Sequence, residues 1–372
     1  MEVVRRLSSW LIRDIWRSLS IARASRTGDT VHILFCFVDH FEPGNRNAPF
    51  EQQRQRVDWW VEDYPRLAAR HSDADGLPPC HSFFFPPHYD TADHLERIVA
   101  LCGKGYGEVE MHLHHDRMPP WPDSAVTLRH KIQRCIDDFS GRGVFCLPGG
   151  ARRYGFIHGD WALGNSLAGG RHCGVNEEIA LLRQTGCYAD FTFPAACEAQ
   201  PGCANTFFYT TGPPIPKGYD HRPQPARAGK GRGDGLLLIQ GPIGIRWHSR
   251  THRFRPSIEQ SNIDRRDLPL PARIDYWIKK NIHVAGRPEW IFVKIHTHGA
   301  REEDRDVLLG EPCHRMFSYL ETRYNDGETY RLHYVSAREM YNIIRAAEDG
   351  LAGDPGLYRD YDIPRYLYLP ER

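Results

Sequence analysis

Three clusters of histidine and carboxylate residues could do chemistry in this sequence. FVDHFEP at 37–43 places Asp39, His40 and Glu42 at and just past the end of an apolar run. GEVEMHLHHD at 107–116 contains His112 and His114, and FVKIHTHG at 292–299 contains Lys294, His296 and His298. Side chains of a strand alternate between its faces, so each HxH pair presents both imidazoles to one side. Glu108, Glu110, His112 and His114 then share one face, with Met111, Leu113 and His115 on the other, and His112 and His114 can reach one metal ion. In a chain with 20 histidines a single HxH arises by chance; the weight lies in three such clusters where apolar runs end. Three N/O ligands plus a water suit Zn²⁺, which lowers the pKa of that water to about 7, as hydrolysis at neutral pH requires.

For the clusters to meet, the segments that carry them must be parallel strands, because sites in such sheets form at the C-terminal strand ends. VHILFCFVDH (31–40) is continuously apolar and β-rich, as buried parallel strands are. HSFFFPP (81–87), the third run (107–116), short segments at 144–147 and 154–159, CYADFTFP (187–194), LLLIQGP (236–242) and WIFVKIHTHG (290–299) follow as further strands. Helices are expected between them. One covers 51–70, with Val57, Trp60, Val61, Tyr64, Leu67 and Ala68 on one stripe and Pro65 expected to kink or end it. Others follow a cap at Thr91 (with Leu95, Ile98 and Val99), near 125–140, and over 174–186. RLHYVSAREMYNIIRAA (331–347) reads as strand then helix, with Ser336 and Glu339 spaced as a capping box. This alternation predicts an α/β fold with a parallel sheet, closed as a distorted, seven-stranded (β/α) barrel, an open doubly wound sheet being the alternative. The stretches 198–235 and 248–268 read as long loops. Within the first, GKGRGDG (229–235) lacks the spacing of a phosphate loop and reads as mobile and solvated.

A single barrel accommodates 372 residues. The expected organisation is a basic amphipathic helix at 1–29, a barrel over 30–350 and an extended tail over 351–372. In the first segment Val4, Leu7, Leu11 and Ile15 recur at helical spacing among Arg5, Arg6, Arg13, Arg17, Arg23 and Arg26. Such a helix could lie on an anionic membrane surface, as a peripheral contact at the inner membrane, or pack on the barrel or a second subunit. The formal net charge of +1 exerts no general pull on nucleic acid. The ten cysteines form no CxxC pair and read mostly as small buried hydrophobes. The stretch around Trp10–Trp16 is broken by Arg13 and Asp14, so it reads neither as a signal peptide nor as a span, and the expected location is the cytoplasm.

In order and spacing the motifs resemble the polysaccharide deacetylase superfamily, the chitooligosaccharide-deacetylase homology family, over residues 31–300. The similarity is to a branch with an HLHPW-like metal motif, here HLHHD at 112–116. GFIHGDWAL (155–163) is similar to that branch's FRAGRWG segment, and GCYADFTFP (186–194) to its GYRYDSSxxP segment. The resemblance implies a Zn²⁺-dependent enzyme that removes an acetyl group from an N- or O-acetylated sugar or oligosaccharide. It assigns Asp39 as base, His40 to the place of the family's metal-binding aspartate, His112 and His114 as ligands, and His296 as general acid tuned by Asp190. The chain departs from the family at several points. Histidine at position 40 leaves Glu42 as an alternative third ligand, with His298 in reserve. His115 replaces a proline. Ile157 and Asp160 stand where arginines belong, for which Arg152 or Arg153 could substitute. Such drift implies an altered substrate or lost activity.

Trp161 and Asp160 are candidates for a sugar platform, although a tryptophan beside a strand end more often packs than stacks. His88 reads as structural or surface, and His158 as a residue that could approach the rim. Two rivals remain: a metal-dependent hydrolase of another class, which usually carries HxH on its first strand, and a non-catalytic binding or scaffold protein of the same fold. No candidate ligand or acid lies within residues 1–29. Deleting them is expected to leave turnover of a soluble substrate intact, and a folded truncation without activity would overturn that assignment.

Overall fold

In the computed structural model, which describes residues 30–89, 92–248 and 255–368, strands and helices alternate from the first apolar run onward. The amphipathic segment at 1–29 and the cap at Thr91 lie outside the described residues. The chain runs β1 (Val31–His40), α1 (Phe50–Ala68), β2 (His81–Phe85), α2 (Ala92–Gly103), β3 (Gly107–Leu113), α3 (Ala125–Ser140), β4 (Tyr154–His158), α4 (Glu178–Gln184) and β5 (Cys187–Asp190). It continues through β6 (Phe207–Thr210), β7 (Gln224–Pro225), β8 (Leu236–Ile239), β9 (Gly244–His248), β10 (Arg255–Glu259), α5 (Pro271–Lys279) and β11 (Trp290–Thr297). The last elements are α6 (Arg305–Leu308), α7 (Glu311–Tyr324), β12 (Tyr330–Tyr334) and α8 (Ala337–Glu348).

Strands β11, β1, β2, β3, β4, β5 and β8 are parallel neighbours in that order. β6 adds antiparallel to β8, β7 antiparallel to β6, and β12 parallel to β1, giving a 10-stranded, mostly parallel sheet. The class is therefore mixed α/β, with eight α-helices among the described residues. β1 is its hub. β11 occupies one edge from His32 to Asp39, while the other edge is divided between β12 at Val31–Phe35 and β2 at Phe37–His40.

Alternation then sorts the side chains. Phe35 of β1 packs edge-on against Phe317 of α7, Phe83 of β2 against Trp60 of α1, and Phe85 against Phe139 of α3. This is the helix-covered face. On the opposite face, non-adjacent strands reach one another: Phe84 of β2 lies 5.6 Å from Phe191, beyond β5, and Tyr188 of β5 donates to Glu110 of β3. Where the strands begin, that face is covered by α8, nearly all of which is buried. Ser336 caps α8 reciprocally with Glu339, as the sequence predicts, and its hydroxyl also donates to Glu108. The Arg338 guanidinium holds Glu108 at 2.8 Å, Asp360 at 2.6 Å and the carbonyl of Ile363. The segment after α8 includes a 3-10 helix at Pro355–Tyr358 and docks on this face, with Tyr366 donating to Glu110 and the Tyr368 hydroxyl accepting from Val109 N–H.

Several local expectations change. α1 runs through Pro65 for three further residues. The segment at 144–147 makes only an isolated bridge, Cys146 to Arg152. Helix 174–186 shrinks to α4, whose first residue, Glu178, accepts from Gly164 N–H through its side chain. The expected loop 198–235 contains β6 and β7, since Phe207, Phe208 and Tyr209 bury against β8. β10, within the expected loop 248–268, pairs with β9. GKGRGDG is partly exposed yet docked: Gly229 and Gly231 N–H donate to the carbonyls of Ala347 and Glu348 at the end of α8.

Glu108 and Arg338 are almost wholly buried, so removing the cation strands a carboxylate in the core. Arg338→Leu is expected to destabilise the fold by about 3–5 kcal/mol, read from urea denaturation; an unchanged midpoint would show that Glu108 finds another partner.

Candidate metal centre

Three electron-rich atoms meet where β1 and β3 end. Glu42 Oε1 lies 2.8 Å from His114 Nε2 and 3.8 Å from His112 Nε2, and the two Nε2 atoms are 3.1 Å apart. The tautomers follow from the outer partners. His112 Nδ1 faces the carbonyl of Ile157 at 3.0 Å, and His114 Nδ1 faces Asp160 Oδ2 at 2.9 Å. Neither oxygen can donate, so both protons sit on Nδ1 and both Nε2 lone pairs turn inward beside a carboxylate. Such a set repels itself unless a cation lies among its members. A tetrahedral Zn²⁺ with bonds of about 2.0–2.1 Å needs ligand separations of roughly 3.3 Å, which these distances fit.

Local structure fixes each donor. His112 and His114 share a face of β3, as alternation requires, and Gly159 leaves room for the second: a Cβ there would lie 2.2 Å from its Nδ1. Asp160, held at a φ of 54°, orients His114 in the carboxylate–histidine arrangement that supports metal sites. Glu42 stands past the strand end, with Asn45 Nδ2 on its other oxygen and Arg117 Nη1 at 2.9 Å. Lys131, from α3, holds the turn that carries Arg117 by donating to the carbonyls of His115 and Pro120.

Burial pushes Glu42 up, but the adjacent His112 and His114 outweigh it and hold the carboxyl well below its ordinary range. Burial lowers His112 and, helped by the neighbouring imidazoles, holds His40 well below the usual histidine value. For His114 the bond to Asp160 and the negative charge of Glu42 overcome burial and raise it. His88, read as structural, is brought down to about 2 by burial and by His114, whose ring lies 5.5 Å away.

The cluster opens into a cleft of about 270 Å³ whose walls include His40, Asp160, Trp161, His296 and His298, with Arg117 and Arg301. His40 stacks on His298 at 4.7 Å and meets His112 edge-on at 4.9 Å, so it stands beside the donor set, in which Glu42 takes the third place. His296, buried by the same wall, is held well below the usual histidine value by burial, then by Lys294. Trp161 turns towards His40 and His298 at ring distances of 6.2 and 6.3 Å.

Asp39 and Asp190 are elsewhere. Asp39 neighbours His40 on β1 and so faces α1. Its carboxylate accepts from His81 Nε2 at 3.0 Å and Gly299 N–H at 2.6 Å, and it does not reach the cleft. A Cβ on Gly299 would overlap it, so this contact requires glycine and anchors the turn after His298. Asp190 is bonded to Thr192 rather than His296; Thr192 Oγ1 in turn accepts from His158 N–H. Burial pushes Asp190 up and Lys294 down, and their opposite charges pull both back towards the ionised state. Arg152 pairs with Asp137 and Arg153 with the carbonyl of Gly186. Arg117 and Arg301 are thus the cleft arginines, a role no sequence motif marked.

The sequence matches no protein-family model, and comparison with curated proteins and with solved structures returns no match. Among the described residues no helix is long and apolar enough to cross a membrane.

Glu42→Ala and His112→Ala are each expected to lose the ion of this centre, whereas His40→Ala keeps it, as read by metal analysis after dialysis. Metal loss in His40→Ala with retention in Glu42→Ala would restore position 40 as the ligand.

Proposed function

We propose that the protein is a metal-dependent hydrolase that removes an acetyl group from an N- or O-acetylated sugar, using the inner end of a closed (β/α) barrel. The observation that carries this reading is the inward pair of bare Nε2 atoms beside Glu42, at the C-terminal ends of parallel strands and open to a polar cleft. Closure is supported by contacts across the inner face and by residues 261–263, which run along the free edge of β11 with His296 bonded to Ser261 and Ile263.

A divalent ion held by Glu42, His112 and His114 would activate water and polarise the acetyl carbonyl. The chain's residues supply the rest. Neutral because it is buried, the His296 imidazole takes a proton from the attacking water and returns it to the leaving nitrogen or oxygen. Trp161 offers a ring beside His40 and His298 against which a sugar can lie. Asp160 keeps the His114 proton on Nδ1. Asp39 is a positioning residue in this scheme, acting through Gly299 on the turn that follows His298.

A hydrolase of another ester or amide class is a second reading, favoured by Asp39 facing α1 and by two arginines on the cleft wall, which suit an anionic substrate. A panel of N-acetylglucosamine oligomers, activated acetyl esters and phosphate esters separates them: acetate release supports the first, and phosphate release alone replaces it with the second. With acetylated substrates, His296→Ala is expected to keep its metal yet lose about 10²–10⁴-fold in turnover, more on amides than on activated esters. Metal loss equal to that of His112→Ala would make His296 a ligand instead.

A further inference from the structure

Behind the cleft wall lies a second group of donors with no access to solvent. His115 follows β3, His158 ends β4, Cys173 lies in the connection beyond, and Glu178 opens α4; all four are 0% exposed. His115 Nε2 is 3.1 Å and His158 Nε2 3.4 Å from Glu178 Oε1, while Cys173 Sγ is 3.4 Å from Oε2. One ligand atom from each residue fits within 4.8 Å of all the others. A tetrahedral Zn²⁺ with N and O ligands at about 2.0–2.2 Å and S at about 2.3 Å has ligand separations of roughly 3.3–3.6 Å.

The hydrogen-bond inventory points the same way. His158 Nδ1 is against the carbonyl of Gly159, which fixes the proton there and leaves Nε2 bare towards a carboxylate oxygen. The two Nε2 atoms, close to Glu178 Oε1 as they are, are not aligned for hydrogen bonding with it, whereas the Cys173 thiol donates to Glu178 Oε2 and to the carbonyl of Val175. His158 Nε2, His115 Nε2 and Glu178 Oε1 are buried without a hydrogen-bond partner. Buried polar atoms are nearly always paired, and three orphans in one chamber call for a missing positive partner. We propose that His115, His158, Cys173 and Glu178 form a second, closed site that holds a structural Zn²⁺.

Charge supports the assignment. Thiolate and carboxylate together neutralise the ion, so the dry chamber carries no net charge once the Cys173 proton has left for solvent. No position is left for substrate, as in structural sites. The ion would tie together the turn after β3, the end of β4 and the start of α4. The first two carry His114, Arg117 and Asp160, so the second site would brace the first without touching the cleft. The assignment stands whether or not the hydrolase reading does.

Full-length protein loaded with Co²⁺ tests it, because a thiolate ligand produces a near-ultraviolet charge-transfer band that N/O sites lack. The band is expected in the wild type and in His114→Ala, and is expected to vanish in Cys173→Ser. A measurement independent of that variant is X-ray absorption of Zn²⁺-loaded His114→Ala, where one sulfur scatterer at about 2.3 Å is expected. A band that persists in Cys173→Ser, an all-N/O zinc shell, or a folded His114→Ala protein that retains no ion would overturn the site.

Discussion

The hydrogen bond from His112 Nδ1 to the carbonyl of Ile157 is the contact on which the open end of the sheet depends. It crosses from β3 to β4, two strands whose parallel register sets Ile157 beside His112. Because a carbonyl can only accept, the bond decides which nitrogen keeps the proton and which offers its lone pair. Asp160 makes the same decision for His114. The chemistry of the cluster is thus set by backbone geometry and one carboxylate, before any ligand arrives.

The inner face of the sheet carries an unusual load of ionisable groups. Glu108 is matched by Arg338. Glu110, which burial raises to about 8, is held by Tyr188, Tyr366 and Gly155 N–H. Asp190 leans on Thr192 and on the field of Lys294. Each is a polar group in a place that a simpler core would fill with hydrocarbon, and each is answered by a partner from a distant segment. The C-terminal helix and the segment after it supply several of these partners, so the end of the chain completes an interior that its first strands leave unsatisfied.

Much of this was legible in the sequence. Continuous apolar runs marked β1, β2, β3, β8 and β11, and period-two alternation put His112 with His114 and His296 with His298, pairs that meet around the cleft. Alternation also held the information that Asp39 and His40, being adjacent on β1, cannot share a face; assigning both to one site by resemblance overrode it. Glu42 was harder to place because it lies beyond the strand, where no periodicity applies. β6 was hidden by its Gly- and Pro-rich surroundings, although Phe207, Phe208 and Tyr209 carry a strand's apolar signal. The His115, His158, Cys173 and Glu178 group had no sequence signature, since it depends on separate connections folding against one another.

The divided edge of β1 has a consequence for how the protein is made. Val31 pairs with Tyr330, and the strand's other edge waits for β11. At about 5–20 residues per second, a ribosome needs roughly 15–60 s to deliver those partners after β1 has emerged. Throughout that interval this long, buried strand has one edge bare and half of the other, the condition under which chains pair wrongly with one another. Such long-range closure also slows folding, because the entropy of joining distant segments is spent before their contacts form. Shielding the edges of β1 until β11 and β12 have been synthesised would therefore lower the risk of such mispairing.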